Sequence, residues 1–355
     1  MKLSELQITN LRNILSARLS FHPQLNVITG SNGSGKTSFL EGLYLLGSGY
    51  SFRTRDVSAL VAHNQDVLTV FAKTDTYQRI SIQKSPLHPT IAHMNGEPCL
   101  RRSELASFLP CQVFYQDIFQ LIDAGPSLRR GLLDWGLFHV EPEYHLLWKD
   151  YRRVVKQRNS LLKTKVSNQQ LLPWNKMLAE LASQLDAYRS SYFNRLATEF
   201  DAIISQLSQL DCTLNYYKGW DKKNEGKNLE EILQATYQSD CLRQYTHYGA
   251  HHADLLVVSA DYKVKHFLSR GQQKMVLFAL KFAQAKLVEK SCFFLIDDMT
   301  AELDDEHIHR LMRYITSSKG QFFITARQSD LHLLNLLPGT FTHYLLDKGL
   351  FTLQH

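Results

Sequence analysis

The stretch from Gly30 to Ser38, which reads GSNGSGKTS, constrains this chain more than any other feature. It fits the phosphate-binding pattern of a glycine, four residues and then Gly-Lys-Thr, and it lies between a strand-like run at 25–28 and a helix-like run at 39–46. A glycine- and serine-rich turn that binds nothing is the plain alternative. The order of strand, loop and helix favours a nucleotide site, because the pattern binds phosphate in that context.

The residue types in this loop suit a polyanion. Gly30, Gly33 and Gly35 permit positive φ and close approach of the backbone, so that N–H groups can point into one concavity. Lys36 is expected to reach the β- and γ-phosphates, and Thr37 to offer its hydroxyl to Mg²⁺. We expect ATP and Mg²⁺ as ligands, and the residues expected at the nucleotide are Gly30, Ser31, Asn32, Gly33, Ser34, Gly35, Lys36, Thr37 and Ser38.

Composition leaves most classes of soluble protein open. The 355 residues allow two domains, or one large domain with an insertion. The net charge of +6 permits nucleic-acid binding without establishing it. The five cysteines have no metal-ligand spacing, which favours free thiols in a reducing compartment. No leader pattern and no run long enough to span a bilayer is visible, so a cytoplasmic protein without a membrane partner is expected.

The pattern of apolar residues predicts an α/β fold interrupted by helices. Short strand-like runs fill the first hundred residues and end at Asn95-Gly96, a hairpin-turn signal. Helical periodicity follows, and strands alternating with helices return from about Tyr245. We therefore expect 1–125 and 246–355 to form one head, and 126–245 to form an inserted helical arm.

Two long helices are predicted for the arm. One begins with Pro173 at its first position and continues to Leu210, and an antiparallel partner covers about Glu143 to Lys165. The stretch from Gly30 to Ser38 is called the nucleotide loop. In the head, Gly47 is expected to end the helix that follows this loop. The partner helix carries a row of cations, either a solvated face or a contact for a phosphate backbone: Lys149, Arg152, Arg153, Lys156, Arg158, Lys163 and Lys165.

A second motif lies far downstream. The apolar run from Cys292 to Ile296 predicts a buried strand that delivers Asp297 to the carboxyl edge of a sheet. There Asp297 can hold Mg²⁺ opposite Thr37, and Asp298 can orient or deprotonate the attacking water. A strand-end turn is the plain alternative for an isolated Asp-Asp pair. The apolar strand and the upstream nucleotide loop favour the catalytic interpretation.

A third motif, LSRGQQK at 268–274, opens a helix. Ser269 suits the N-cap, and its hydroxyl with the first N–H groups can form an anion site. One head does not need phosphate sites on two helices. We therefore expect the site at Ser269 to serve the nucleotide of a second molecule.

Together GSNGSGKTS, LSRGQQK and LIDDMTAELDD resemble the ABC/SMC-type ATPases, and more closely the RecF family. The stretches ITNLRN at 8–13, GPSLRR at 125–130 and the segment 249–255 agree with that family. The resemblance implies an ATPase head with an inserted arm, and a homodimer that forms head to tail on ATP. It places Lys36 and Asp298 in catalysis and Thr37 and Asp297 at the metal. It also implies that Ser269, Gly271 and Gln272 reach the partner's nucleotide and that 301–304 lies beside the dimer seam.

The resemblance also implies a function in recombinational DNA repair and replication restart. Members bind single-stranded gaps and double-stranded junctions of DNA, and help RecO and RecR to load RecA. Arg270 departs from the glycine of the broader ABC signature, and Ala326-Arg327 offers no histidine at the switch position. Asp298 stands where most ABC ATPases carry glutamate, so slow hydrolysis is expected.

Several alternatives stay open on the sequence. The protein could be an ATP-gated structural clamp with little catalysis, or the ATPase subunit of a transporter, which shares the nucleotide motifs. Gln116 is a candidate glutamine-loop residue. Arg53 and Arg55 could contact phosphate or simply carry surface charge, and a metal site at His247, His251 and His252 is disfavoured because no acidic or cysteine partner has metal spacing.

Overall fold

The structure is a computed structural model and describes residues 1–164, 166–223, 225–259, 262–330 and 340–354. The chain begins with β1 (Leu3–Leu11), β2 (Ile14–Ser20), β3 (Leu25–Thr29), α1 (Lys36–Ser48), β4 (Leu68–Thr74), β5 (Arg79–Lys84), β6 (Ile91–Met94), β7 (Glu97–Pro98), α2 (Arg102–Phe108) and β8 (Cys111–Phe114). It continues with α3 (Gln120–Asp123), α4 (Pro126–Val140), α5 (Tyr144–Lys163), α6 (Asn168–Leu207), β9 (Thr213–Tyr217), α7 (Leu229–Ala235), α8 (Tyr237–Arg243), β10 (Asp254–Ser259), β11 (Tyr262–Lys263) and α9 (Arg270–Leu287). It closes with β12 (Phe293–Ile296), α10 (Asp305–Ser317), β13 (Gln321–Ala326), β14 (Thr342–Asp347) and β15 (Leu350–Gln354).

The chain folds into two compact units, each assembled from separate stretches of sequence. The first unit comprises Met1–Ile118, Gln206–Ser208 and Val288–His355, and the second comprises Phe119–Ser205 and Gln209–Leu287. This division differs from the boundary expected at 246, because β10 and α9 pack with the helices of the second unit. Arg129 of α4 forms an ion pair with Asp254 of β10 at 2.7 Å, and Gln284 of α9 donates to the Leu132 carbonyl at 2.7 Å.

One sheet of the first unit carries the nucleotide loop. Its strand order is β15-β14-β3-β13-β12-β8, and each neighbouring pair from β14 to β8 is parallel. All residues of β3, β12 and β13 are buried, as expected for parallel strands covered on both faces. The buried strand predicted before Asp297 is therefore confirmed.

The other sheet of the first unit is antiparallel, in the order β2-β1-β4-β5-β6-β7. The predicted hairpin turn is confirmed, because β6 pairs with β7 and both Asn95 and Gly96 have positive φ (53° and 91°). Helix α1 contributes Phe39, Leu40 and Leu43 to one apolar core with strand residues of both sheets. This core fixes the helix that starts at the nucleotide loop.

Helices α5 and α6 form the predicted antiparallel pair in the second unit. Tyr144 near the start of α5 accepts a hydrogen bond from Arg189 of α6, whereas Arg158 near its end donates to Asn175. Helix α6 has 40 residues, which corresponds to a length of about 60 Å. Among the described residues, no helix is long and apolar enough to cross a bilayer.

Two predicted helix boundaries are wrong. Helix α6 begins at Asn168, so Pro173 lies inside it, and the fully buried Leu171 anchors the turn that precedes the proline. Helix α1 ends at Ser48, and its C-cap is Gly49, which has φ of 74° and donates to the Leu45 carbonyl. Gly47 lies within α1, where a Cβ would come within 2.7 Å of the Leu109 carbonyl oxygen. Its small size serves close packing instead of capping.

Candidate nucleotide site

The loop between β3 and α1 has the backbone that its glycines predict. Gly33 and Gly35 have positive φ (79° and 116°), a region that other residues seldom occupy. Gly30 has a different reason, because a Cβ there would overlap with the Leu346 carbonyl oxygen of β14. Ser34 and Ser38 are buried, whereas Ser31 and Asn32 are exposed at the tip.

Lys36 lies folded over its own loop. Its Nζ donates to the carbonyl oxygens of Gly30 at 2.8 Å and Ser31 at 3.0 Å. Burial lowers the pKa of Lys36 from its ordinary value, while the nearby carboxylates of Asp298 and Asp297 oppose that shift. The ammonium group is thus placed among backbone oxygens and acids in the loop where phosphates are expected.

The structure brings Asp297 and Thr37 together across 260 residues of sequence. The Thr37 hydroxyl donates to Asp297 Oδ2 at 2.8 Å, and the Thr325 hydroxyl donates to Asp297 Oδ1 at 2.7 Å. Burial raises the pKa of Asp297, and the bonds from Thr325 and Thr37 partly oppose it. The predicted pairing of loop threonine and strand-end acid is therefore a direct contact in the structure.

Asp298 follows in an uncommon backbone conformation, with φ of 50°. Its N–H donates to Thr325 Oγ1 at 2.9 Å, and its Oδ2 lies 4.0 Å from Arg327 Nη2. Arg327 belongs to the Ala326-Arg327 pair at the switch position, where the sequence offers no histidine. The loop that follows has Glu302 at φ of 68° and ends where Asp304 caps α10 by accepting from the His307 N–H at 2.9 Å.

These groups share one polar cavity of about 370 Å³ at the carboxyl edge of the parallel sheet. Its lining residues are Asn13, Asn32, Gly33, Gly35, Lys36, Thr37, Ser38, Arg53, Asp297 and Asp298. Arg53 thus lies in the cavity, and it also lies 3.6 Å from the buried Glu41. Arg55 instead lies over the Tyr50 ring, 4.2 Å from its centre.

The third motif belongs to the second unit and opens α9 as predicted. The Gln272 N–H donates to Ser269 Oγ at 3.3 Å, and the Ser269 N–H donates to Gln272 Oε1 at 2.9 Å. This reciprocal pair is a capping box, with Gly271 in the first turn of the helix. Arg270 forms an ion pair with Asp123 at 2.9 Å and lies over the Phe119 ring. Ser269 itself is exposed.

Comparison with known proteins places these motifs in a family. The family described as RecF/RecN/SMC N terminal domain matches residues 2–334. A DNA replication and repair protein RecF of Shewanella loihica is 37% identical over 334 residues, which cover 92% of each chain. The chain belongs to the RecF family. A RecF of Shigella flexneri is 33% identical over 99% of this chain and 100% of its own.

Solved structures agree with the ABC/SMC-type fold. The recombination mediator protein RecF-ATP in the RecFOR pathway has a TM-score of 0.81 at 23% identity, and covers 99% of both chains. An Smc head bound to the C-terminal winged-helix domain of ScpA has a TM-score of 0.63 at 16% identity, over 100% of this chain and 97% of its own. At these identities the likeness shows the fold alone. The predicted RecF-type head fold, that of an ABC/SMC-type ATPase family, is confirmed.

The donor set of this RecF-family chain fits Mg²⁺. The Thr37 hydroxyl and the Asp297 carboxylate are hard oxygen donors in contact with one another, and Asp298 lines the same cavity. Thr37 and Asp297 are the residues that would hold the ion. When bound, Mg²⁺ would neutralise charge on the β- and γ-phosphate oxygens.

Several residues at the RecF-family site were not identified from the sequence. The Asn13 amide donates to the Ser34 carbonyl at 2.9 Å, and Thr325 connects Asp297 with Asp298. Asp330 accepts a hydrogen bond from Thr300 at 2.5 Å beside Arg327. Thr325 lies near the end of the buried strand β13, which pairs with β12, the strand that precedes Asp297. This position is the sequence signal from which Thr325 could have been identified. Gln116 is exposed two residues after the end of β8, the neighbour of β12.

The histidines have structural contacts. His251 Nδ1 lies 2.6 Å from Tyr151 Oη and its Nε2 lies 3.0 Å from the Thr246 carbonyl oxygen. Burial lowers the pKa of His251 to about 4. In the part of the chain that the structure describes, no group of three or more His, Cys, Asp or Glu side chains is placed to hold a metal ion.

Proposed function

We propose that this chain is an ATP-gated DNA-binding protein of recombinational repair and replication restart. The observation that carries the proposal is the contact between Thr37 and Asp297, because it assembles a nucleotide and metal site from the two halves of one head. Relatives named as DNA replication and repair proteins, and solved structures of RecF with ATP in the RecFOR pathway, support the same function.

In this proposal Lys36 leaves the loop carbonyls to bind the β- and γ-phosphates of ATP. Replacing the carbonyl contacts by phosphate contacts costs little free energy, because the loop N–H groups and the Lys36 ammonium then bind the same charged phosphates. Thr37 and Asp297 hold Mg²⁺, and Asp298 accepts the proton of the attacking water or orients it. The remaining loop residues from Gly30 to Ser38 surround the phosphates.

The second half of the site comes from another copy of the chain. Ser269 is exposed and its hydroxyl, with the first N–H groups of α9, can meet a phosphate. Ser269, Gly271 and Gln272 therefore close over the nucleotide of the partner in a head-to-tail homodimer. ATP binding then drives dimerisation, because each nucleotide contacts both chains.

The partners we propose are single-stranded gaps and double-stranded junctions of DNA, together with RecO and RecR in the loading of RecA. Hydrolysis should be slow. Asp298 has a shorter side chain than glutamate, so its carboxylate lies further from the attacking water. ATP binding, with hydrolysis secondary, then controls retention on DNA.

The active site can be tested by ATP turnover in the presence of gapped DNA. Lys36→Arg and Asp298→Asn should each lower turnover at least about tenfold, the size of one lost charge-assisted contact. Lys319→Arg and Asp347→Asn change exposed residues of the same unit and serve as matched controls. Unchanged turnover in Lys36→Arg or Asp298→Asn would refute the assigned site.

The composite site can be tested by mixing two inactive variants. Lys36→Ala removes the loop lysine, and Ser269→Arg blocks the face that meets the partner. A head-to-tail mixed dimer restores one intact site, so a mixture should recover about a quarter of the wild-type rate for random pairing. A mixture as inactive as its components would exclude a shared site.

An ATP-gated clamp with little catalysis is the second candidate, and the constrained Asp298 favours it. Retention of gapped DNA by Asp298→Asn in ATP and Mg²⁺, with turnover abolished, would support the clamp. Loss of retention together with turnover would show that hydrolysis itself is needed.

A further inference from the structure

Helix α5 presents a groove of about 790 Å³ on the second unit, lined along its length by cations. Lys149, Arg152, Arg153, Lys156 and Lys163 are all exposed. The remaining lining residues are Val155, Asn159, Ser160 and His251. Lys165, which the sequence grouped with these cations, lies outside the described residues.

The groove concentrates positive charge without matching acids. The described residues that line it include no aspartate or glutamate. Asp150 lies beside the groove and forms an ion pair with Arg153 at 3.3 Å. Burial keeps His251 neutral near pH 7, because its pKa is lowered to about 4. Mutual repulsion of the remaining cations is therefore relieved best by an anionic ligand.

Arg158 shows that not every cation of α5 belongs to this surface. Its side chain is fully buried and forms an ion pair with Asp240 at 2.8 Å. Arg158 therefore faces the packed side of α5. Its inclusion in the row of cations predicted from the sequence is wrong. The cations of the groove are those that the fold leaves facing solvent.

The form of the groove suits a polyphosphate chain. Lys149 and Lys163 are separated by 14 positions on one helix, or about 21 Å at about 1.5 Å per residue. Along B-DNA that distance corresponds to about six phosphates of one strand. Arg152 is already held over the Trp148 ring, 4.6 Å from its centre, so less side-chain freedom is lost on binding.

An acidic protein surface fits the groove less well. Stable protein interfaces have an apolar or aromatic centre with a polar rim. Val155 is the apolar side chain among the described lining residues, and it is only partly exposed. Spaced cations without an apolar anchor are typical of contacts to a nucleic-acid backbone.

We propose that the α5 groove binds the sugar-phosphate backbone of DNA through Lys149, Arg152, Lys156 and Lys163. The inference rests on the proposed function for the identity of the nucleic acid. It adds a contact on the second unit that does not depend on the sequence of the bases. Binding there should hold DNA in proportion to the number of phosphates neutralised.

The test is binding of a fluorescein-labelled gapped duplex to the full chain, with ATP and Mg²⁺, across a salt series of about 50 to about 300 mM. The groove variant combines Lys149→Gln, Arg152→Gln and Lys156→Gln. A control variant combines Lys176→Gln, Lys222→Gln and Arg243→Gln, which removes the same charge from exposed positions of the same unit. A second groove variant combines Lys149→Arg, Arg152→Lys and Lys156→Arg. It keeps the positive charge and shows whether substitution at these three positions disturbs the fold.

The groove variant should bind more weakly, and its plot of log affinity against log salt should lose about 3 units of slope, roughly 0.9 for each phosphate contact. The control variant and the charge-keeping variant should stay close to the wild type in slope, and DNA-free ATP turnover should be unchanged in all three.

Equal slopes for groove and control variants would overturn the groove while leaving the proposed function standing. A wild-type chain that binds no DNA in ATP would overturn both. A groove variant that keeps its DNA slope but loses binding to poly-glutamate would assign the groove to an acidic protein, and would also overturn the proposal.

Discussion

The nucleotide loop and the core between α5 and α6 both contain a buried cation near an acid, but they use these charges differently. Lys36 donates to the carbonyl oxygens of its own loop, and Asp297 receives two threonine hydroxyls. In the second unit Arg158 donates directly to Asp240 and to Thr246, and both charged side chains are fully buried. The first pair of charges faces a polar cavity. The second pair is held by an ion pair and hydrogen bonds inside the protein, although Arg158 Nη2 has no hydrogen-bond partner among the described residues.

This contrast distinguishes the proposed ligand site from a structural one. A buried charge held by weak or exchangeable partners beside a cavity is available to a ligand, as at Lys36. A buried charge with a full set of charged and polar partners stabilises packing, as at Arg189, which bonds Asp134, Tyr144 and the Ala250 carbonyl. Mutations should therefore separate function in the first unit from stability in the second.

The largest effect is expected from Arg158→Met. It leaves the fully buried Asp240 carboxylate without its guanidinium, which should lower the free energy of unfolding by about 3–5 kcal/mol. Urea unfolding followed by circular dichroism measures the loss. Arg158→Met combined with Asp240→Leu should recover much of it, because no charge then stays buried. A loss of less than about 1 kcal/mol for the single variant would contradict the structural role of the pair.

The next effect is the pH dependence of stability through His251. Its pKa is lowered to about 4 in the folded protein, so the unfolded chain binds more protons between that value and the ordinary pKa of 6.5. His251 contributes about 3 kcal/mol to the free energy of unfolding above pH 6.5, and this contribution is lost as the pH falls toward 4. His251→Gln should flatten the profile in urea unfolding. An equally steep profile in that variant would assign the titration to other groups.

A smaller loss is expected from Thr325→Val in the first unit. The substitution removes the hydroxyl that donates to Asp297 and accepts from the Asp298 N–H, at about 1–2 kcal/mol of stability. It should also weaken nucleotide binding, because Asp297 loses its fixed orientation. Thr325→Ser keeps the hydroxyl and serves as the control. A Thr325→Val variant as stable as Thr325→Ser would show that the hydrogen bonds of the hydroxyl contribute little.

The smallest change in stability, and of opposite sign, is expected from Asp297→Asn without nucleotide. Burial raises the pKa of Asp297, so its contribution is favourable at low pH and is lost as pH rises through the folded pKa. At pH 7 the neutral amide should therefore be more stable by up to about 1 kcal/mol. The gain in melting temperature that ATP and Mg²⁺ give the wild type should disappear. A lower melting temperature without nucleotide would contradict the desolvation argument.

The sequence predicted the first region well because its signals are contiguous. The loop, the helix after it and the apolar strand before Asp297 are each read from neighbouring residues, and only the long insertion separates them. Thr325 was missed because its role depends on β12 and β13 becoming neighbours in the folded sheet. Asn13 was missed because the turn between β1 and β2 meets the nucleotide loop only in the folded unit.

The second region was predicted in outline and missed in detail. The apolar repeat identified α5 and α6, but it could not distinguish Arg158 from the exposed cations, because a buried arginine needs the distant Asp240 to be recognised. Pro173 was placed at a helix start by propensity. The helix begins earlier, at Asn168, and Leu171 in its first turns is fully buried. The unit boundary at 288 depends on the packing of α4 with β10 and α9, which no local pattern records.

The most direct test of the account is ATP turnover per chain as a function of protein concentration, with saturating ATP, Mg²⁺ and gapped DNA. If the loop at Gly30 to Ser38 is completed by Ser269 of a second chain, the rate per chain should rise through the range in which sedimentation shows dimer, and then level off. A rate per chain that stays constant through that range would contradict a site shared between two molecules.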